Sequence, residues 1–201
     1  MRIIGLTGGI ACGKSLVSGA LREAGCVIID GDLLSRELVQ PGSPVLEDIR
    51  QTFGERFVSA EGILDRKALG ALVFADPEAL ARLNAVYRPH LRALIHRRLE
   101  EARSRGEAIA VLDMPLLYEE GLDALCDSVW CVTLPEETQL RRLMARDGLT
   151  ETEALARVAS QMPTREKAAR AKVRIDNSGA PEETIRQALN ALPRERAEEN
   201  G

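Results

Sequence analysis

Histidine is scarce in this 201-residue chain, which contains two, His90 and His96, together with four cysteines. Two histidines give a histidine-based metal site or a Ser-His-Asp arrangement little to build from, so we discount both. The cysteines form no C-x-x-C pair, which argues against a redox motif of that kind. We expect reduced thiols at all four positions, Cys12, Cys26, Cys126 and Cys131.

The chain also lacks a basic surplus and a long apolar run. Its formal net charge is −4 at pH 7, so there is no global excess of positive charge to neutralise a nucleic-acid backbone. No apolar stretch approaches the length of a membrane span, and no signal-peptide pattern precedes the first strand-like run. We therefore expect a cytoplasmic protein without nucleic-acid or membrane partners, present as a monomer or a weak homo-oligomer.

The most informative feature that is present is a glycine-rich run near the start of the chain. Residues 8–15, with the sequence GGIACGKS, fit the pattern G-x-x-x-x-G-K-[ST] at every fixed position. A strand-like run precedes them and apolar residues at helical spacing follow, which favours a phosphate-binding loop over an ordinary tight turn. We predict that Lys14 reaches the β- and γ-phosphates of a nucleotide and that the Ser15 hydroxyl coordinates Mg²⁺. The predicted nucleotide-binding residues here are Gly8, Gly9, Ile10, Ala11, Cys12, Gly13, Lys14, Ser15 and Leu16.

Strand-like runs alternate with helical patterns along the chain, which predicts an α/β fold with a parallel sheet. The apolar runs are nearly continuous, as expected of strands that are buried on both faces. Ligands of such sheets bind beyond the carboxyl ends of the strands, so residues at those ends are the candidates for function. The predicted strands cover residues 2–6, 26–29, 108–112, 129–133 and 173–175.

Two helical excursions are longer than simple crossovers, and they divide the single predicted domain, residues 1–201, into parts. Residues 32–106 are predicted to form a helical subdomain over the site, and residues 135–170, rich in arginine and broken at Pro163, a lid. The charged end at 194–201 lacks apolar spacing, so we expect it to be frayed and disordered. The predicted nucleotide-binding core is made of residues 1–31, 107–134 and 171–193.

Three aspartates lie where predicted strands end. Asp30 closes the second strand, where aspartate is also common as an ordinary turn residue. Asp32, two residues later, is the favoured candidate to orient an acceptor hydroxyl and to take its proton. Asp113, at the tip of the third strand, is a candidate to reach Mg²⁺ through water, and Asp32 is an alternative in that role.

Residues after the later strands offer further contacts. Leu117 follows the third strand, and it either walls an acceptor pocket or packs in the core. Arg142 and Arg146 share a face of the helical pattern after the fourth strand. Such a pair is usually solvated, and the alternative is that one of the two clamps a transferring phosphate. Asn177 follows the fifth strand, where it either contacts an adenine ring or belongs to an ordinary turn.

Residues spread over nearly the whole chain match the pattern of one kinase family. They are LTGGI at 6–10 with GKS at 13–15, VIIDGD at 27–32, Arg36, GILDR at 62–66, Leu69, Phe74, PLLYE at 115–119, Gln139, Arg142, Arg146, Gln161 and DNSG at 176–179. On these positions the chain resembles the dephospho-CoA kinase family, P-loop kinases that phosphorylate the ribose 3′-hydroxyl of dephospho-CoA with ATP in the last step of coenzyme A synthesis.

The resemblance implies a three-layer P-loop fold with a five-stranded parallel sheet, a CoA-binding helical subdomain at 32–106 and a lid. It implies ATP as phosphoryl donor with Mg²⁺, and CoA and ADP as products. Asp32 matches the family's proposed catalytic base, Lys14 and Arg142 match the groups on the transferring phosphoryl, and Asn177 matches the adenine-contacting segment. The implied acceptor-binding residues are Asp32, Arg36, Arg66, Arg88 and Leu117.

Several positions depart from the family's usual pattern. Ala11-Cys12 replaces the commoner Gly-Ser, so phosphate binding is expected to survive if position 11 adopts an ordinary backbone dihedral, and a thiol is expected beside the phosphates. Gly31 replaces an alanine. Arg88 stands in place of a histidine, and it would bring a permanent positive charge and a longer reach to the acceptor.

Two other functions share part of this pattern. A P-loop kinase acting on another nucleotide or nucleoside would have the same core and a different acceptor pocket. A non-catalytic nucleotide-dependent switch is disfavoured, because the chain has no N-K-x-D element and has DMPL at 113–116 where D-x-x-G would stand. We therefore predict an enzyme, a phosphotransferase acting on an alcohol group.

Overall fold

The structure, a computed structural model, describes residues 1–199, leaving aside the side chains of residues 74 and 196–199. The chain forms two compact units. The first, here called the sheet unit, comprises Met1–Gly31 and Glu101–Gly201, and the second, the helical unit, is Asp32–Glu100. The helical unit begins at the residue where the sequence predicts the first helical excursion, whereas residues 101–106 belong to the sheet unit.

The sheet unit contains a five-stranded parallel sheet, which confirms the predicted α/β fold. Its strands are β1 Arg2–Gly8, β2 Val27–Asp30, β3 Ile109–Asp113, β4 Ser128–Thr133 and β5 Val173–Asp176. They lie in the order β2-β3-β1-β4-β5. Every residue of β3 is buried, as the continuous apolar run predicts for a strand that is covered on both faces.

Helices fill the segments between the strands and most of the helical unit. They are α1 Lys14–Glu23, α2 Gly31–Glu37, α3 Pro44–Phe53, α4 Arg66–Ala75, α5 Pro77–Ser104, α6 Glu136–Asp147, α7 Glu151–Ala159, α8 Thr164–Arg170 and α9 Pro181–Glu199. In the sheet unit α1 packs against α9, and α8 packs against β1 and β4. The core between them includes Ile4, Leu6, Val17, Leu21, Trp130 and Ile175.

The carboxyl ends of the strands form one edge of the sheet. At this edge Asp113 is the register partner of Asp30 on β2 and of Leu6 on β1. Two residues after Leu6, β1 ends at Gly8 and the chain continues into the glycine-rich run. The parallel pairing thus brings the run and Asp113 to the same edge, where ligands of such sheets bind.

The helical unit has its own core and its own helix caps. Ser43 caps α3 by accepting a hydrogen bond from Leu46 N, and Asp65 caps α4 by accepting one from Ala68 N. The core of this unit is formed by Val39, Val45, Leu46, Ile49, Phe57, Val58, Leu69, Val73 and Ala79.

The end of the chain differs from the frayed segment expected at 194–201, because α9 continues to Glu199. Glu195 is 1% exposed and accepts hydrogen bonds from Ser128 Oγ at 2.7 Å and Trp130 Nε1 at 3.1 Å, and it is ion-paired with Arg2. The end of α9 is held by the buried carboxylate of Glu195, and the spacing of apolar residues in the sequence does not reveal such a contact. Residues 200–201 lie outside the described residues.

Residues 135–170 form α6, α7 and α8, and Pro163 stands as the N-cap of α8, where the predicted break occurs. A capping box at Thr150 and Glu153 begins α7. Because α8 packs on β1 and β4, the last part of this segment belongs to the layer that covers the sheet.

Candidate active site

The phosphate loop, residues 8–15, joins β1 to α1 in a conformation that needs glycine at position 13. Gly13 has φ +81°, and a Cβ at this position would lie 2.0 Å from Asn177 Nδ2. Cys12 N–H donates to Gly9 O at 3.1 Å. Because α1 begins at Lys14, the positive end of its dipole is directed towards the loop, as in other anion-binding helix termini.

Ala11 corrects one expectation from the sequence, since its φ of 59° is in the left-handed region and is not an ordinary dihedral. A β-carbon in this region costs roughly 1–2 kcal/mol. The path of the loop between Gly9 and Gly13 determines the backbone conformation of Ala11. The loop therefore keeps the left-handed φ at position 11 in spite of the strain from the alanine β-carbon. Such left-handed residues persist where the surrounding structure holds them.

Cys12 corrects a second expectation, because its thiol does not lie at the loop's surface beside the phosphates. The side chain is 1% exposed and belongs to the apolar core of the sheet unit. Burial raises the pKa of the Cys12 thiol, although a hydrogen bond with Thr164 and the nearby Lys167 and Arg142 oppose the rise. The residue therefore serves as a small core residue, and all four cysteines are free thiols as predicted.

Lys14 and Asp113 form an ion pair at the edge of the sheet. Asp113 is 4% exposed, and burial raises the pKa of its carboxyl while the Lys14 ammonium group opposes that rise. Ser15, the next residue after Lys14, is exposed to solvent. The three side chains thus place an ammonium group, a carboxylate and a hydroxyl around the start of α1.

These donors fit a Mg²⁺ ion that is held by few protein ligands. Mg²⁺ in nucleotide sites is bound by one or two protein oxygens together with waters and substrate phosphates, and Ser15 Oγ and the Asp113 carboxylate are such oxygens. Within residues 1–199 no group of three or more histidine, cysteine, aspartate or glutamate side chains is arranged to hold a metal. The arrangement therefore suits an ion that binds together with a nucleotide.

Two glutamines hold the Ile10 peptide groups of the loop. Gln139 Nε2 donates to Ile10 O at 2.9 Å, and Ile10 N–H donates to Gln161 Oε1 at 3.2 Å. The sequence singles out both glutamines only as family positions, because a contact across 129 or 151 residues leaves no local pattern. Both glutamines belong to the segment that contains α6 and α7, and their side chains hold the loop at Ile10.

Asn177 holds the other part of the loop. Its side chain is buried, donates from Nδ2 to Cys12 O at 2.8 Å, and accepts from Thr184 Oγ1 at 2.9 Å. The structure therefore shows this amide in protein contacts, and the predicted contact of Asn177 with adenine stays a prediction. Thr184, at 0% exposure, had no signal in the sequence.

The two arginines of α6 have different surroundings. Arg142 NH2 donates to Asn177 O at 3.2 Å, which keeps its guanidinium group next to the residue that supports the loop. Arg146 is bonded to Asp147, which is also paired with Arg157. Arg142 is therefore the member of the pair that lies near the loop, and Arg146 belongs to a solvated ion-pair group.

The turn after β3, residues 115–119, packs against the sheet. Leu117 is 0% exposed, and its Cδ2 lies 2.7 Å from the position that a Cβ on Gly5 would occupy. Of the two alternatives for Leu117, the structure thus shows packing against β1. Lys167 of α8, which contacts this turn at Pro115 O, is 0% exposed, and no sequence pattern singles it out.

In the helical unit, the predicted acceptor residues Asp32, Arg36, Arg66 and Arg88 are exposed. Asp32 is in the first turn of α2 and Arg36 in its last turn, four residues apart and so on one helix face. Asp32 and Arg66 also share a neighbour in Tyr87. Burial raises the pKa of Tyr87, a hydrogen bond with Ser35 and the charge of Arg66 lower it, and the charge of Asp32 raises it.

Comparisons with known proteins decide the family. The model of the family CoaE, dephospho-CoA kinase, matches residues 2–183. The chain belongs to the dephospho-CoA kinase family. A dephospho-CoA kinase of Shouchella clausii is 49% identical over 189 residues, which are 94% of this chain and 96% of the relative.

Two solved structures are similar over nearly their whole length. The crystal structure of TT1252 from Thermus thermophilus has a TM-score of 0.83 and 39% identity, covering 96% of this chain and 97% of that one. The dephospho-CoA kinase from Campylobacter jejuni has a TM-score of 0.74 and 28% identity, covering 98% of this chain and 99% of that one. The resemblance seen in the sequence motifs therefore extends to the fold of the family.

Gly31 is a departure from the dephospho-CoA kinase pattern that the structure explains. A Cβ at Gly31 would lie 1.7 Å from Met114 Sδ and 3.3 Å from Asp113 O. The glycine therefore leaves room for the methionine that follows Asp113. Because methionine is flexible, an alanine here would require Met114 to adopt another rotamer.

No helix within residues 1–199 combines the length and the apolar character that crossing a bilayer requires.

Proposed function

We propose that this chain transfers the γ-phosphoryl group of ATP to the ribose 3′-hydroxyl of dephospho-CoA, producing CoA and ADP. Membership of the dephospho-CoA kinase family supports this function. The observation in the structure that supports it best is the loop at 8–15 with its Lys14–Asp113 pair at the carboxyl edge of the sheet.

The groups that we propose to act on the donor ATP belong to the sheet unit. Lys14 and Arg142 neutralise charge on the transferring phosphoryl group, and the N–H groups at the start of α1 bind the phosphates. Mg²⁺, held by Ser15 and through water by Asp113 or Asp32, supplies further charge neutralisation when bound. Lys14 must exchange its Asp113 partner for phosphate oxygens when the nucleotide arrives.

The groups that we propose to act on the acceptor belong to the helical unit. Asp32 orients the ribose hydroxyl and accepts its proton as the oxygen attacks phosphorus in line with the leaving ADP oxygen. Arg36, Arg66 and Arg88 bind the anionic groups of the acceptor, because guanidinium groups form bidentate hydrogen bonds with phosphates. No covalent phosphoenzyme is required, and positioning with charge neutralisation supplies most of the rate.

Product analysis with a panel of acceptors tests this function. The protein is incubated with ATP, Mg²⁺ and dephospho-CoA, adenosine or AMP, and ADP and products are measured by liquid chromatography and mass spectrometry. We expect CoA and ADP in equal amounts from dephospho-CoA, with the new phosphate at the 3′ position by NMR. Faster phosphorylation of adenosine or AMP would identify a different P-loop kinase. ATP hydrolysis at the same rate without any acceptor would contradict a kinase function.

A further inference from the structure

We propose that Lys167 is a positioning residue for phosphoryl transfer, whose buried ammonium group fixes the turn 115–119 with respect to the phosphate loop. The inference rests on the proposed function, since it concerns the rate of that same reaction. Lys167 lies on α8, outside the residues to which the reaction itself assigns a role.

The contacts of Lys167 span the turn from one end to the other. Its side chain is fully buried, and Nζ donates to Pro115 O at 2.6 Å and to Glu119 Oε1 at 2.8 Å. The residues between these two anchors include Leu117, which packs against β1. One ammonium group therefore ties together both ends of the turn.

Burial of this pair is not explained by stability alone. Removing a lysine ammonium group and a carboxylate from water costs several kcal/mol per ion, which their attraction offsets only with good geometry. Glu119 Oε2 is buried without a hydrogen-bond partner among the described residues, so the pair is incompletely satisfied. Apolar side chains of similar volume often stabilise a core at least as well. A role in placing the turn is a reason to keep the charges.

The turn is also tied to the strand that leads into the phosphate loop. Thr7 Oγ1 donates to Pro115 O at 3.0 Å, so the same carbonyl accepts from Thr7 and from Lys167. One residue before it, Met114 N–H donates to Leu6 O at 3.0 Å. Asp113, which pairs with Lys14, precedes Met114. A displacement of Pro115 would therefore be transmitted within two residues to the carboxylate that faces Lys14.

The segment that carries Lys167 also holds the loop itself. We call residues 161–167 the strap. At its start Gln161 Oε1 accepts from Ile10 N–H at 3.2 Å, and Met162 N–H donates to Glu119 Oε1 at 2.9 Å. The strap thus contacts the phosphate loop at its start through Gln161, and it contacts the turn through Met162 and, at its other end, through the buried Lys167. The conformation of the strap therefore sets the distance between the phosphate loop and the turn 115–119.

The proposal predicts a defect in turnover more than in binding. Small misplacements of groups around a reacting phosphoryl can cost about 100-fold in rate. Ile10 is also held by Gln139 of α6, which lies outside the strap, so nucleotide affinity should change less than turnover. A residue needed for folding alone would lower thermal stability and leave kcat of the folded fraction unchanged.

The test compares Lys167→Met, Glu119→Gln and the double variant Lys167→Met/Glu119→Gln with the unmodified chain. The double variant leaves no uncompensated charge buried and keeps an acceptor for Met162 N–H. If Lys167→Met alone does not fold, the double variant is compared with the unmodified chain in its place. Glu195→Gln is the matched control, since Glu195 is also a buried, ion-paired carboxylate of the sheet unit but contacts Arg2, Ser128 and Trp130.

The measurements are kcat, KM for each substrate, the Kd of a fluorescent ATP analogue and the melting temperature. We expect kcat of Lys167→Met and of the double variant to fall roughly 10- to 100-fold, with Kd changed less than about threefold, and Glu195→Gln to lower only the melting temperature. The double variant should be no slower than the slower single variant, because the two side chains act together. A double variant with kcat within about twofold of the unmodified chain would overturn the proposal. Absence of CoA formation by the unmodified chain would instead contradict the proposed function.

Discussion

The sheet unit and the helical unit use charged side chains in different ways. In the sheet unit the charges next to the phosphate loop are buried. Asp113, which is paired with Lys14, is 4% exposed, and Lys167, which is paired with Glu119, is 0% exposed. In the helical unit the ion pairs lie at the surface, as in the pair of Arg98 with Glu37, whose side chains are 35% and 41% exposed.

The difference indicates a division of labour. Buried pairs have one good geometry, so they suit the groups that we propose to act on the transferring phosphoryl. Arg36, Arg66 and Arg88 are exposed, which suits the part that we propose for them in binding a long, flexible acceptor such as dephospho-CoA. The first arrangement favours precision at the reacting atoms and the second favours recognition by charge.

Asp32→Asn should have the largest effect, because it removes the proton acceptor that the proposal places in the helical unit. We expect turnover to fall by about 10²–10⁴, with the affinity for ATP nearly unchanged, since the donor contacts belong to the sheet unit. Steady-state rates and titration with a fluorescent ATP analogue measure the two effects separately. Near-normal turnover would remove Asp32 from this role.

Glu195→Gln should lower stability by about 2 kcal/mol without changing kcat, because the carboxylate loses charge-assisted hydrogen bonds far from the reaction. Burial alone would raise the pKa of Glu195, but hydrogen bonds from Ser128, Arg2 and Trp130 lower it below its usual value. The stabilisation is therefore fully present above the unfolded pKa of about 4.3 and is lost as the pH falls through the folded pKa.

Urea unfolding at pH 7 and at pH 3 measures this effect. The difference in unfolding free energy between the unmodified chain and Glu195→Gln should be largest at pH 7 and should shrink on acidification. A difference that grows towards low pH would show that the pKa of Glu195 is raised by folding and not lowered.

Ala11→Gly should have a smaller effect, because it removes a left-handed alanine from the loop. The relief of roughly 1–2 kcal/mol is offset in part by the greater freedom of glycine in the unfolded chain, about 0.4–1 kcal/mol. We expect a net stabilisation of about 0.5–1 kcal/mol and a KM for ATP within about twofold. Calorimetry and initial rates check the two values, and a destabilised variant would show that position 11 is not strained.

Glu37→Gln should have the smallest effect and sharpen the contrast with Glu195→Gln. The pair of Glu37 with Arg98 lies at the surface with both side chains partly exposed, and surface pairs contribute about 0–1 kcal/mol. We expect a change of unfolding free energy below about 0.5 kcal/mol, and less in 1 M salt. A loss as large as that of Glu195→Gln would contradict the distinction between the two units.

Local patterns in the sequence predict the parts of the site that depend on neighbouring residues. The apolar runs predict the five strands, and the spacing in GGIACGKS predicts the loop and the start of α1 at Lys14. Parallel strand ends then predict that Asp113 lies at the same edge as the loop.

Other parts could not be predicted, because they depend on contacts between distant residues. Lys167 stands in a charged helical stretch and looks solvated, yet its partner Pro115 is 52 residues away. Glu195 stands in a charged terminal segment, and its partner Arg2 is 193 residues away. The left-handed backbone of Ala11 follows from the path of the loop, which residue preferences alone would not indicate.

The division of labour is tested most directly by the triple variant Arg36→Ala/Arg66→Ala/Arg88→Ala, assayed for KM of dephospho-CoA and Kd of ATP. The account predicts that KM for dephospho-CoA rises at least about tenfold, because several charge-assisted hydrogen bonds to the anionic acceptor are lost. It predicts a Kd of ATP within about twofold of the unmodified chain, since the donor contacts lie in the sheet unit. An unchanged KM for dephospho-CoA together with weakened ATP binding would contradict the account.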